Sequence, residues 1–337
     1  MATLSHDLSI EILRGLSVKD LLRFKCVSKL WCSSIDDPYF IKLHLSDSLK
    51  TNTNHSLILR RWGYDFLSVN YDSLKTTQVI NPPLTNSPIK ILGSCNGLLA
   101  LIDDKDRIFL WNPSTRKSQV LPSTEIEFSS TLISSAPSTY YGFGYEPISD
   151  DYKLVRMVQS HGNNDEYFHS EAKVYSLRSN CWRRIKDVCF YLKFNRKFGF
   201  LANNRKFGFL ANNALHWMVF KTPQSDNRNL VGFNLGSEEF HFLELPDFCL
   251  DKLFWFGIKA MGDTPVAAPL AFSKNGNKVL FNIAYKWCNL RKRGGKFVWY
   301  DLGSQRVENV GYRQIPTSFD VDLFVDSLVP LNSNAQQ

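Results

Sequence analysis

A degenerate repeat constrains the fold of this chain more than any other feature. Its core is a strand ending in an aromatic or aliphatic pair, then one small polar residue, a turn and a second strand. The copies are Leu110-Trp111-Asn112-Pro113-Ser114-Thr115, Val174-Tyr175-Ser176-Leu177-Arg178-Ser179, Gly232-Phe233-Asn234-Leu235-Gly236-Ser237 and Trp299-Tyr300-Asp301-Leu302-Gly303-Ser304. A turn and a strand precede each copy. Asn96-Gly97 leads into Leu98-Leu99-Ala100-Leu101, and Asp150-Asp151 into Tyr152 to Met157. Asn212-Asn213 leads into Leu215 to Val219, and Asn275-Gly276 into Lys278 to Phe281. Asn-Gly is the strongest short hairpin signal. Two antiparallel hairpins about every sixty residues predict four-stranded sheets arranged radially, a mainly β fold of the propeller type. A β-sandwich is the alternative architecture, and the spacing leaves the number of blades open.

The first 46 residues read differently. Leu8, Ile12, Leu13 and Leu16 recur at spacings of three and four, the mark of one apolar helix face. Ser17, with Asp20 three residues on, starts a second helix whose apolar side is Leu21, Leu22, Phe24 and Val27. Leu30, Trp31 and Ile35 mark a third, and Pro38 opens a short fourth with Phe40, Ile41 and Leu43. Such a unit is too small to bury this much apolar surface alone. It docks on the rest of the chain, or part of it waits for another protein. Thr51-Asn52-Thr53-Asn54 is a polar linker, and residues 56–60 and 66–70 are the first strands.

The run from Leu8 to Cys32, followed by Asp37-Pro38-Tyr39-Phe40, resembles a plant F-box. Residues 55–331 resemble the F-box-associated (type 1, kelch-like) domain of S-locus F-box and defence-regulating F-box receptors. That likeness is carried by Ser94 to Leu99, Leu110 to Arg116, Tyr141 to Glu146, Asp150 to Val155, Val174 to Leu177 with Trp182-Arg183, Ala214 to Trp217, and Tyr300 to Leu302. The resemblance implies a substrate-recognition subunit of a Skp-cullin-F-box ubiquitin ligase, cytoplasmic or nuclear, with no catalytic residues of its own. It implies a Skp-type adaptor and a cullin scaffold as partners, and an unnamed target protein. It places adaptor docking and its supporting core at Leu4, Leu8, Ile12, Leu13, Leu16, Val18, Leu21, Leu22 and Trp31. The alternative is a propeller scaffold or decoy no longer coupled to a ligase; a glycan- or RNA-binding module is more remote.

Three residues depart from the F-box pattern: Ser5 and Ser17 stand where proline is usual, and Gly15 where arginine is. Two larger departures follow. Arg196 to Asn204 is repeated without change as Arg205 to Asn213. Between Pro246 and Pro269 the family's usual pair of strands is absent, roughly one blade's worth of chain. A nine-residue shift is odd, so it reverses which side chains of a strand face inward. The second copy, joined to Leu215-His216-Trp217, is therefore expected to supply the strand, at Phe207-Gly208-Phe209-Leu210. Deleting 196–204 should then leave the melting temperature unchanged or raised, as calorimetry would read. Closure of a ring requires its last edge to be hidden, so residues 321–329 are expected to pair with the sheet holding 56–70.

The remaining features exclude other classes. A formal charge of +8 could attract nucleic acid, but the basic residues are dispersed. Their one cluster, Arg291-Lys292-Arg293-Gly294-Gly295-Lys296, reads as a hairpin tip. Seven cysteines form no CxxC pair, which fits a reducing compartment. No apolar run approaches the roughly 20 residues of a membrane helix, and the first residues lack a signal peptide's pattern. His161 and His169 flank Asp165 and Glu166 in what reads as a solvated loop, so neither metal nor cofactor is expected.

Overall fold

The computed structural model describes the chain outside residues 1–4, 52, 62–65, 72–73, 75–76, 84–87, 128–136, 162–167, 193–207, 226–227, 244–265, 274–276, 287–292, 311–318 and 332–337. It gives the small polar residue of each repeat copy a physical role. Asn112 Oδ1 accepts from the amides of Ser114 (2.9 Å) and Thr115 (3.3 Å). Asn234 Oδ1 accepts from Gly236 (2.8 Å) and Ser237 (3.0 Å), and Asp301 Oδ1 from Gly303 (3.1 Å) and Ser304 (2.7 Å). Ser176 Oγ accepts from the Ser179 amide at 3.1 Å. A short side chain that satisfies the backbone two or three residues on is how these residue types make turns. Four residues after each of them the chain turns left-handed, at Arg116 (φ 59°), Asn180 (51°), Glu238 (59°) and Gln305 (55°). Of these only Asn180 is a residue type enriched there.

Five four-stranded antiparallel sheets result. Blade two is β4 (Lys90–Cys95), β5 (Leu98–Ile102), β6 (Ile108–Asn112) and β7 (Lys117–Val120). Blade three is β8 (Ser138–Glu146), β9 (Asp151–His161), β10 (Phe168–Ser176) and β11 (Cys181–Arg184). Blade four is β12 (Phe209–Ala211), β13 (Ala214–Phe220), β14 (Arg228–Asn234) and β15 (Phe240–Leu243). Blade five is β16 (Val266–Phe272), β17 (Lys278–Lys286), β18 (Arg293–Asp301) and β19 (Val307–Asn309). Blade one takes β1 (His55–Arg61), β2 (Phe66–Asn70) and β3 (Thr77–Ile80) from the start of the domain and β20 (Phe319–Val325) from its end. Strands β20, β4, β8 and β12 neighbour one another in turn, and β16 meets β20. This is a five-bladed propeller, and the sandwich alternative falls.

The shared blade is the closure that the sequence called for. Leu57 pairs with Leu323 and Leu59 with Val321. The strand ends at Val325, short of the expected 329. Residues 326–331 instead run over the helical side, with Leu328, Val329 and Leu331 buried. Asn112 Nδ2 donates to the Ser327 and Val329 carbonyls at 3.1 and 2.9 Å, tying this tail to blade two. Gly97 must be glycine here. Its φ is +82°, and an added Cβ would lie 2.0 Å from Ser327 Oγ. Overpacking costs roughly 1–3 kcal/mol, and alanine at positive φ adds to it. Gly97→Ala should therefore cost at least that much stability, read as a lowered urea midpoint.

Two expectations need adjusting. The paired strand of the duplicated segment is Phe209–Ala211, opposite His216, Leu215 and Ala214, with Gly208 just before it. Phe207 and residues 196–204 lie outside the described residues, as do Asp165, Glu166 and most of the stretch from Pro246 to Pro269. The basic cluster is only partly a tip. Arg293 to Lys296 extend β18 and pair with β17 from Lys286 to Ile283, because the hairpin is long enough to include them.

Candidate functional site: the exposed face of the N-terminal helices

Four helices precede the propeller: α1 (His6–Arg14), α2 (Val18–Phe24), α3 (Lys29–Asp36) and α4 (Pro38–Thr51). The fourth is not short. It runs fourteen residues and passes position 46, so part of the expected linker is helical. Each start has a side-chain cap, as isolated helix amides require. Ser5 Oγ accepts from the Leu8 amide at 3.3 Å, Ser17 Oγ from Asp20 at 3.2 Å, and Ser28 Oγ from Trp31 at 3.1 Å. Asp37 Oδ1 accepts from Phe40 at 3.0 Å. Ser5 and Ser17, the departures from proline, are thus N-caps, and both helices form with them. Gly15 sits at the C-cap of α1 with φ −77°, outside the helix interior. An added Cβ there would meet only Ile12 O, at 3.7 Å. Gly15→Ala should then stabilise the protein by about 0.4–1 kcal/mol through the unfolded state, read as a raised urea midpoint.

Polar contacts lock the four helices together. Arg14 donates from Nε and Nη2 to Asp47 Oδ2 at 2.9 and 2.8 Å, joining α1 to α4. Lys25 pairs with Asp36, joining α2 to α3. The buried His44 ring lies 2.9 Å from the Leu16 carbonyl, and Phe24 packs on Trp31 at 5.5 Å. Among the described residues an ion pair reaches the propeller: Lys42 Nζ donates to Asp150 Oδ2 at 2.5 Å, and the Tyr145 hydroxyl donates to Oδ1 at 2.6 Å. Burial pushes the Asp150 carboxyl up, but these two donors outweigh it and hold it below the usual carboxylate range. Both ends of the Lys42 pair are about half exposed, so it orients more than it stabilises.

The apolar residues named from the sequence divide into two groups. Leu13, Val18 and Leu21 are fully buried, in one cluster with Ile35, Phe40, Leu98, Tyr152, Leu177 and the tail residues Leu328 and Leu331. Leu16, Leu22 and Trp31 pack half-buried against that cluster. Leu8 and Ile12, four residues apart and so on one face of α1, are 52% and 45% exposed. Leu4 lies outside the described residues. Four more large apolar side chains stand open to solvent among the described residues of the unit: Val27 (61%), Leu30 (53%), Tyr39 (75%) and Leu49 (44%). The sequence spacing puts Val27 and Leu30 on the apolar sides of α2 and α3 without saying which way those sides face. Both flank the α2–α3 turn, where periodicity breaks and the inward side cannot be counted from either helix.

A helical unit docked on a propeller by one set of apolar side chains, with a second set exposed, is the architecture in hand. Residues 64–259 match the F-box associated beta propeller domain family and residues 2–43 the F-box domain. The chain is similar to F-box protein CPR1 of Arabidopsis thaliana, at 31% identity, covering 98% of this chain and 89% of that protein. It is also similar to F-box protein At4g22390 of the same plant, at 28% identity over 98% and 90% of the two chains. This protein belongs to the plant F-box proteins with an F-box-associated propeller. Such proteins are receptors and adaptors rather than enzymes. Aligning 337 residues with CPR1 over 388 positions leaves more than fifty at which this chain has none. Among solved structures, the β-propeller domain of Myceliophteria_thermophila Cps50 (Swd1) gives a TM-score of 0.27 at 10% identity, over 75% of this chain and 68% of that one. At that distance the likeness decides nothing. No described helix is long and apolar enough to cross a membrane.

Proposed function

We propose that the protein is the substrate-recognition subunit of a Skp-cullin-F-box ubiquitin ligase. The observation that carries this is the division of the helical unit: Leu13, Val18 and Leu21 are spent on holding it to the propeller, while Leu8 and Ile12 remain bare. Six exposed large apolar side chains among the described residues of so small a unit fit a partner surface better than solvent. In this reading Leu8 and Ile12 touch the Skp-type adaptor, with Val27, Leu30 and Tyr39 as further contacts. Leu16, Leu22 and Trp31, half-buried, border that surface. The cullin is reached through the adaptor, and the ubiquitin chemistry belongs to the partners.

The target would meet the opposite side of the ring. The helices sit against the β4–β5 and β8–β9 hairpins, through Cys95, Leu98, Tyr152 and the Lys42–Asp150 contact. The β5–β6 connection, residues 103–107, leaves its blade at the other end and would face the target there. The positions lacking relative to CPR1 amount to about one blade. We place them after Pro246, between blades four and five. The closure of blade one and the serine caps favour a working receptor over a decoy. Co-expression with a Skp-type adaptor and a cullin tests this: recovery of a stoichiometric complex supports it. A folded chain that captures no adaptor leaves the decoy reading in its place.

A further inference from the structure

A cleft of about 1530 Å³ opens where the helices meet blades one and two. Its floor is one face of blade one, where Ser68 pairs with Gln78 and leaves small polar side chains. Across from it stands the turn 112–116 of blade two, with the buried Thr115 Oγ1 lacking a hydrogen-bond partner among the described residues. The rim carries three cations from three elements: Lys19 of α2, Lys50 of α4 and Arg116 of the turn. All three are exposed, and none has an ion-pair partner among the described residues.

The other charged side chains lining the cleft have partners of their own, though Arg14 serves two carboxylates, so the three rim cations exceed what is left over by only a small margin. Arg14 is held by Glu11 and Asp47, and Arg23 by Asp20. Asp326 turns inward and accepts from the Ser114 and Ser56 hydroxyls at 2.9 and 3.3 Å. The uncompensated charge is therefore positive. Strand β3, the outer edge of blade one, lines the same cleft from Gln78 to Ile80, with Val79 62% exposed. An edge strand offers backbone groups to an incoming chain. The volume exceeds the roughly 300–1,000 Å³ of small-molecule sites, which favours an extended segment.

We propose that this cleft binds an extended acidic peptide of a partner protein, laid along β3 with its carboxylates toward Lys19, Lys50 and Arg116. Leu8 and Ile12 do not line the cleft, although Leu16 and Leu22 at the border of the adaptor surface do; the peptide test changes neither Leu8 nor Ile12, so it reads the cleft apart from the adaptor contact. The test is fluorescence anisotropy of the full chain with a labelled peptide alternating Glu and Val. Binding should weaken about tenfold or more in Lys19→Glu/Lys50→Glu/Arg116→Glu, three exposed ion pairs being lost. It should disappear when the peptide's Glu residues are Gln. It should persist in Lys105→Glu/Lys186→Glu/Lys221→Glu, which removes equal charge away from the cleft. Should the cleft triple variant fail to fold, Lys50→Glu and Arg116→Glu are read singly. No binding by the native chain overturns the proposal. Equal loss in both triple variants reduces the binding to overall charge and overturns it too. Tripolyphosphate that binds while the peptide does not would mark a small-anion site instead.

Discussion

Cutting the chain after Asp320 is expected to yield insoluble or rapidly proteolysed protein. The cut removes Val321 to Val325, the strand that gives blade one its fourth member, and leaves the β1 edge from His55 to Arg61 unpaired. An open hydrophobic edge is a template for aggregation. It also removes the tail that Asn112 grips, and with it the buried Leu328, Val329 and Leu331. A single substitution reads the same closure in soluble protein. Phe324 is 1% exposed between blades one and two, among Ile58, Ile91 and Trp111. Phe324→Ala should cost about 3–5 kcal/mol, measured by urea unfolding. A milder cut, after Pro330, would at first sight be harmless, but it takes Leu331, which is 1% exposed. A loss of soluble yield smaller than that of the first cut is expected. Two truncations that behave alike would refute closure through β20.

The second large effect concerns the adaptor face. Leu8→Asp with Ile12→Asp should abolish co-purification with a Skp-type adaptor while leaving the melting temperature near that of the native chain. Both side chains are about half exposed, so folding loses little when they become polar. A docked interface instead has to bury two carboxylates without partners, several kcal/mol of loss. Leu21→Ala gives the contrast. Leu21 is fully buried, and its truncation should cost about 2–5 kcal/mol of stability. Adaptor loss in that variant would report unfolding rather than contact. Adaptor capture that survives the double aspartate variant would move the docking surface elsewhere.

Much of this molecule can be read from its residues. Polar residues at the ends of apolar strands predicted the turns at Asn112, Ser176, Asn234 and Asp301, because a short side chain capping its own backbone is a local matter. Asn96-Gly97 announced its hairpin for the same reason. The α1 to α3 helices followed from spacing and, for α2, from Ser17, whose cap needs only three residues. The period of the repeat then left the propeller as the natural way to stack such sheets, and the family motifs agreed.

Other features were decided only in three dimensions. Burial within the helical unit depends on what lies across from each side chain. Leu8 and Leu13 look alike in sequence, yet one faces solvent and the other meets the propeller and the C-terminal tail. The left-handed turns at Arg116, Glu238 and Gln305 carry residue types that do not ask for them; the hairpin geometry around them imposes the conformation. The end of β20 at Val325 has a similar cause. Beyond it Ser327 and Val329 give their carbonyls to Asn112, more than two hundred residues away. Local preference sets the strands and caps, whereas the exposed face, the buried tail and the cleft arise from surfaces that meet only once the ring has closed.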